Sequence, residues 1–514
     1  MEDSLAQRVR DLGDVDADGF TKQVHNDAET VKQLLRDGAF DNHRSVVGLE
    51  YEFYAAADGR WADGEATDGT LMRVPRRLFD LLGFEKELGL HNAEMTTSPQ
   101  PFNSYGLSAQ AAEVRSRLSN ARDCTKAEGM ALVSDGIWTI PPAGETAREY
   151  LTDSVVDDSG TGEGVRVAAN MSDAVRYHAM ANGGQLETPL SIDAPNVDIE
   201  AETVMPESLI TSIQPHYQMS FAADLPHYHS YALRVAGPLL ALGVNSPFFP
   251  PDLYEEGVDV ETILEDAWME HRIAVFESVL NAGGAEKVSF PEDIETVEAA
   301  IDRIADDDVV VPMPVEGGDR FDDQFAAFRT KHGTYWRWVR PVFGGPSRGS
   351  ANARLEFRPL PGQPTVSGTV AFLATFAGLM EELPRRGHPV EELSWKQAEE
   401  NFYAAVRDGL DADLTWVTEE GVTQDTDELY DDLLAGAAAG LRSAGCTERE
   451  AEAYLEPLRF RVENRVTPAS WQVDRVRERL ANGDSFADAV TGAKREYIRT
   501  QSETFLEGSF ADWH

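Results

Sequence analysis

Val46–Tyr54 reads VVGLEYEFY, and its β-branched and aromatic content marks a strand. Strand side chains alternate between faces, so Glu50 and Glu52 point to the same side. Two carboxylates on one side of a strand that otherwise reads as buried are costly unless a cation lies between them. Hard divalent cations such as Mg²⁺ take oxygen ligands of this kind. Alone, a Glu-x-Glu pair more often marks a solvated edge strand, so the pair gains meaning only from what the rest of the chain adds.

Three further stretches repeat the pattern. In Arg354-Leu355-Glu356-Phe357-Arg358, the apolar residues face a core, with Arg354, Glu356 and Arg358 opposite. Two guanidiniums flanking a carboxylate suit an anionic ligand bridged by metal, because arginine forks match phosphate oxygens. The same spacing also suits a salt-bridge ladder on a solvated sheet. Arg340 shares a face with Trp336 and Trp338 of the preceding strand and is a candidate to join the cluster. In Gln214-Pro215-His216-Tyr217-Gln218, His216 shares a face with both glutamines, and Pro215 implies an edge strand or a bulge. A lone strand histidine is more often a hydrogen-bonded core residue than a ligand. Asn92–Pro99 places Glu94 in a strand among small and apolar residues, and the loop Asn245-Ser246-Pro247-Phe248 read alone is a helix-terminating turn.

The spacing around these strands predicts helices over 21–35, 73–82, 107–130, 228–242, 258–280 and 365–383. Residues 144–202 read as a polar surface loop carrying DDSGTGEG, with a short strand or helix within 170–180; residues 283–325 read as an acidic segment. Three regions follow: a polar, partly helical segment 1–44; a mixed α+β domain 45–383; and an acidic helical region 387–514, divided near 384–390.

Composition excludes several function classes. The 514 residues include 90 acidic and 45 basic ones, a formal net charge of −45, which repels phosphate backbones and argues against nucleic-acid binding. Apolar content of 42% supports a sizeable core. Cys124 and Cys446 are the two cysteines, too few and too distant for a disulfide scaffold and consistent with a reducing cytosol. The start lacks a basic and an apolar signal region, and no run of about 18 apolar residues is apparent, so the expected location is cytoplasmic, with no membrane span. Of the 45 basic residues 8 are lysines; an acidic surface stripped of lysine fits a halophilic protein, because a Debye length of ~3 Å at 1 M salt screens its self-repulsion.

The order G-L-E-Y-E, H-N-A-E-M-T-T-S-P, T-S-I-Q-P-H-Y-Q, N-S-P-F and R-L-E-F-R-P-L resembles the glutamate–cysteine ligase type 2 family, carboxylate–amine ligases with the glutamine synthetase fold, over residues 45–383. The resemblance implies a curved antiparallel sheet with helices on its outer face and a concave face that holds ATP, Mg²⁺ and glutamate. It implies Glu50, Glu52, Glu94, His216 and Glu356 as metal ligands. It implies Arg354 and Arg358 as catalytic groups on phosphate or substrate carboxylate, with Arg340 beside them at the nucleotide. The implied reaction activates the glutamate γ-carboxylate as an acyl phosphate, which an amine then attacks; cysteine is the first acceptor to consider. Rival readings are a ligase of the same fold for another acid or amine, and a metal-dependent amidohydrolase, which needs no phosphate clamp.

Overall fold

The computed structural model describes all residues except 1–3, 60–67, 159–163, 184–185, 187, 285 and 316. Its centre is a curled antiparallel sheet. The strands are β1 Val46–Ala57, β2 Glu85–Lys86, β3 Asn92–Thr96, β4 Gln100–Pro101, β5 Met130–Val133, β6 Ile213–Gln218, β7 Val339–Gly344 and β8 Asn352–Phe357. They lie in the order β7-β8-β6-β1-β3-β2, with β4 and β5 also paired to β1. Burial alternates along the first half of β1, and Leu49, Tyr51 and Phe53 are buried on the face opposite Glu50. On that face Phe357 stacks on Phe376 of the helix Val366–Arg386, with ring centroids 4.5 Å apart. This helix is long and apolar enough to cross a membrane by length and composition alone, yet 83% of its most apolar stretch is buried within the fold. It is a core helix that supports the sheet.

Pro215 lies in the interior of the sheet, not at an edge. Between the bridges His216–Glu356 and Ser212–Pro361, four residue steps on the β6 side face five on the β8 side. The extra residue is a bulge, which accommodates a residue without an N–H donor.

Several expected elements differ. The helix expected over 258–280 is two, Val260–Asp266 and His271–Leu280. Its apolar period continues across the gap, but buried Glu270 accepts hydrogen bonds from Asn245 N at 2.9 Å and Ser246 Oγ at 2.6 Å, which draws the chain out of helical geometry. The Asn245-Ser246-Pro247 turn is therefore a structural junction. Residues 144–202 contain helices Ala147–Thr152 and Val175–Asn182 and short strands; part of DDSGTGEG lies outside the described residues. The acidic 283–325 segment includes the helix Val297–Asp306, and Asp307 just beyond it is buried among Lys287, Lys331 and Arg337. The helix Ser104–Lys126 stops before Met130, which starts β5.

Four of the eight lysines, Lys32, Lys287, Lys331 and Lys494, are buried on carboxylates, which leaves the surface poorer still in lysine. Lys494 of the helix Phe486–Thr504 pairs with buried Asp135, and Tyr497 donates to Ser134 O at 2.9 Å. The helix Val366–Arg386 ends at Gly387, whose φ of +65° suits glycine.

Candidate active site

Strand register decides which side chains surround the Glu50–Glu52 pair. Glu50 lies opposite Gln214 of β6 and Thr96 of β3, and Glu52 lies opposite Glu94. Gly48, His216, Glu356 and Arg340 form a row across four strands, and Gln218 lies opposite Arg354. Directly opposed residues project to the same side, so all seven expected strand residues stand on one face. Arg358, one residue beyond β8, completes the set by donating to Gln214 Oε1 at 2.7 Å and to Glu356 Oε1.

Glu50, His216 and Glu356 each offer a ligand atom within 4.8 Å of the others. Glu356 is 2% exposed and accepts from Arg340 Nε at 3.0 Å as well as from Arg358. Burial opposes its charge, but Arg340, Arg358 and His216 outweigh burial and hold it well below the usual carboxylate range. The same balance, with His216 and Arg358 acting against burial and Glu356, keeps Glu50 below its ordinary value. The back of Arg340 is fixed by the carbonyls of His332 at 3.2 Å and Tyr335 at 2.9 Å. Arg354 Nε donates to His216 Nδ1 at 3.1 Å, so the imidazole proton sits on Nε2, which has no hydrogen-bond partner among the described residues and lies 3.4 Å from Glu50 Oε1.

Glu52 and Glu94 form a second group of opposite character. Glu52 accepts from Ser212 N at 2.7 Å and Gln214 Nε2 at 2.8 Å, and burial with the nearby Glu87 charge pushes it up to about 7. Burial, Glu87 and then Glu50 and Glu52 push Glu94 well above the usual range. Glu207, from the short 3-10 helix Met205–Leu209, is pushed to about 8 by burial, Glu87 and Glu52. This corner crowds more carboxyl groups together than its arginines compensate, so ionising them all is costly.

Two cavities meet over this face. A cavity of 880 Å³ is lined by Arg320, Arg329, Arg340, Arg354 and the loop Gly344–Ser350; one of 360 Å³ is lined by Glu52, Glu87, Glu94, Glu207, Arg176 and Arg358. Glu50, Thr96 and Arg340 belong to both. Arg320 and Arg329 are both anchored on buried Asp322, which also accepts from Gly345 N at 3.1 Å. Gly345 has φ of +146°, and a Cβ there would fall 2.5 Å from Ser350 O, so only glycine lets this loop close. Gly48 sits in the row of charged residues, where a Cβ would meet nothing nearer than His216 Cβ at 3.9 Å; its lack of a side chain leaves the cavity open above His216.

All eight site residues expected from the sequence thus lie on one sheet face, but they divide into a triad and a carboxylate corner. The R-x-E-x-R strand is also a salt-bridge ladder, as its alternative reading held, although a buried one. Sequence reasoning missed Arg320, Arg329, Glu87, Glu207 and Arg176. They come from helices and loops, where no period-two alternation marks a face, and in so acidic a chain an isolated glutamate carries no signal.

A family model described as glutamate–cysteine ligase family 2 matches residues 46–504. Among solved structures, the glutamate–cysteine ligase of Francisella tularensis in complex with AMP is similar at a TM-score of 0.52, with 12% identity and 91% of each chain covered. A bifunctional glutathione synthetase from Pasteurella multocida is similar at a TM-score of 0.43, with 13% identity, over 92% of this chain and 54% of that one. No curated protein matches by sequence. At 12% identity the likeness to the Francisella enzyme speaks for the fold alone.

Proposed function

Because the chain belongs to glutamate–cysteine ligase family 2 and is an ATP-dependent carboxylate–amine ligase, we propose that it joins the γ-carboxylate of glutamate to the amine of an amino acid, cysteine first. The observation that carries this reading is the meeting of an arginine-lined cavity with a carboxylate-lined one at Glu50 and Arg340. ATP takes the larger cavity, with its phosphates toward Arg354 and Arg340. Glutamate takes the smaller one, beside Arg358 and Arg176.

The donor set fits Mg²⁺. Glu50, Glu356 and His216 Nε2, which has no hydrogen-bond partner among the described residues, converge within 4.8 Å, and Glu52, Glu87 and Glu94 line the adjoining cavity. A divalent cation there would neutralise phosphate charge and polarise the phosphoryl oxygens. Ligation through Nε2 requires the other imidazole tautomer, so Arg354 must leave Nδ1, which frees its guanidinium for phosphate.

In the reaction, a γ-carboxylate oxygen of glutamate bonds to the γ-phosphorus of ATP, and ADP leaves. The acceptor amine then attacks the acyl carbon, and phosphate leaves. Arg358, fixed between Glu356 and Gln214, meets the charge that builds on the transferring group. Thr96 and Glu50, shared by both cavities, line the path between them. The helices of 387–514 act as a buttress through Lys494–Asp135 and Tyr497–Ser134.

The test is a panel of amino acids with glutamate, ATP and Mg²⁺, reading phosphate release and product. Glutamate- and amine-dependent phosphate release is the expected result. Product formation without ATP consumption would overturn the ligation reading, and release with every amine except cysteine would overturn the acceptor. The halophilic reading is checked in parallel: melting temperature and rate should both rise between about 0.1 and 3 M KCl as screening grows.

A further inference from the structure

The family match begins at residue 46, yet the chain before it reaches the larger cavity. The helix Ala326–His332 starts at Phe325, which has no side chain able to cap it. The missing acceptor comes from 300 residues away: Asp27, in the helix Ala17–Arg36, accepts from Ala327 N at 2.8 Å and Phe328 N at 3.4 Å through Oδ2. Asp27 is 5% exposed, and its other oxygen is taken by Gln23 Nε2 at 2.7 Å, which fixes its orientation. A carboxylate at this end also complements the helix dipole.

The capped helix carries Arg329 and His332, both of which line the larger cavity. Arg329 spans Asp322 at 2.7 Å and Asp323 at 3.0 Å, and the His332 carbonyl holds Arg340. A second tie runs beside the first. Phe40 packs edge-on against Phe321 and Phe325, each at 6.3 Å between ring centroids, and Asn42 Nδ2 donates to Ala351 O at 2.6 Å next to the cavity loop. Displacing the first turn of so short a helix moves its other end, because the turns are rigidly linked.

We propose that Asp27 is a positioning residue for nucleotide binding, acting through the helix Ala326–His332 on Arg329, and that the segment 4–44 is thereby a working part of the ligase. The proposal rests on the reading that ATP occupies the larger cavity. It identifies the triphosphate-bearing substrate, not glutamate, as the ligand whose binding depends on this segment.

The test compares Asp27→Ala, Asp27→Asn, Arg329→Ala and the Asp27→Ala/Arg329→Ala double variant in the full chain, with KM measured separately for ATP and glutamate. Asp27→Ala should raise the KM for ATP about tenfold, the scale of a lost buried cap, with the KM for glutamate within about twofold. Asp27→Asn, which keeps one acceptor, should fall between wild type and alanine. The double variant should bind ATP no more weakly than Arg329→Ala alone, because both changes act on one group. If Arg329→Ala raises the KM for ATP and Asp27→Ala does not, the proposal is overturned while the site reading stands. If Arg329→Ala itself leaves the KM for ATP unchanged, the placement of ATP in this cavity fails. A lowered melting temperature with both KM values unchanged would reduce Asp27 to a structural role and also overturn the proposal. Should Asp27→Ala not fold, Asp27→Asn carries the same comparison.

Discussion

Glu356 and Glu94 are both glutamates on one face of one sheet, both largely enclosed, and their surroundings shift their acidity in opposite directions. Glu356 lies between Arg340 and Arg358 and is held well below the usual carboxylate range in spite of burial. Glu94 faces Glu52 across the strands and has Glu87 and Glu50 nearby, so burial and repulsion push it well above that range. The difference teaches that Glu356 is compensated by its own arginines, whereas the carboxylates of the corner have no such partners and wait for what binds there. Removing a charge from the first region should therefore harm the fold, and removing one from the second should harm only function.

The sharpest way to break this comparison is Glu356→Gln. It leaves two buried guanidiniums without their shared anion, which should cost about 3–5 kcal/mol of stability and abolish turnover. Thermal melting and an activity assay check both, and an unchanged melting temperature would remove the argument that Glu356 is internally compensated. Arg358→Lys comes next. Lysine keeps charge but loses the planar guanidinium, whose Nη1 alone holds both Glu356 and Gln214 and leaves the other donors for substrate, so kcat should drop roughly a hundredfold, about 3 kcal/mol at the transition state. Because Arg358 is also part of the buried ladder, some loss of melting temperature is expected in any case, and kcat is the deciding measurement. Arg354→Lys, measured alongside, should lose less stability, because Arg354 binds only His216 and Asn352 among these groups.

The pH dependence of stability sharpens the contrast further. A carboxyl held above its usual range keeps a proton in the folded chain that the unfolded chain has already released. Stability should then fall as pH rises from about 4.5, the ordinary glutamate value, through the folded values of about 7 for Glu52 and about 8 for Glu207. Buried Glu270 and partly buried Glu277, each pushed to about 7 chiefly by desolvation, add to the same slope. Melting curves from pH 5 to 8 with a chelator should show the decline, and added Mg²⁺ should flatten the part due to Glu52 and Glu94; a slope unaffected by Mg²⁺ would assign it all to Glu207, Glu270 and Glu277. The smallest expected effect is that of Glu94→Gln, which should leave metal-free stability unchanged or raise it by about 1 kcal/mol, with activity lost. A clear destabilisation in the absence of divalent cations would contradict the repulsion assigned to this corner.

How much of this was legible in the sequence follows from geometry. A strand projects alternate side chains to one face, so Glu50 with Glu52, His216 with Gln214, and Glu356 between Arg354 and Arg358, each ambiguous alone, together indicated a charged sheet face. Their order along the chain carried the family resemblance, and the apolar stretches carried the supporting helices. Acidic composition with few lysines indicated an acidic surface, since only a minority of 90 carboxylates can be buried on partners. The tertiary structure alone decided which strands are neighbours, and so which carboxylates face arginines and which face each other. It alone brought Arg320, Arg329, Glu87 and Glu207 to the cavities from loops and helices without a readable period, and set Asp27 on a helix 300 residues away. The charge of a buried glutamate is a property of what stands within a few ångströms of it, and that depends on contacts between residues far apart in the chain.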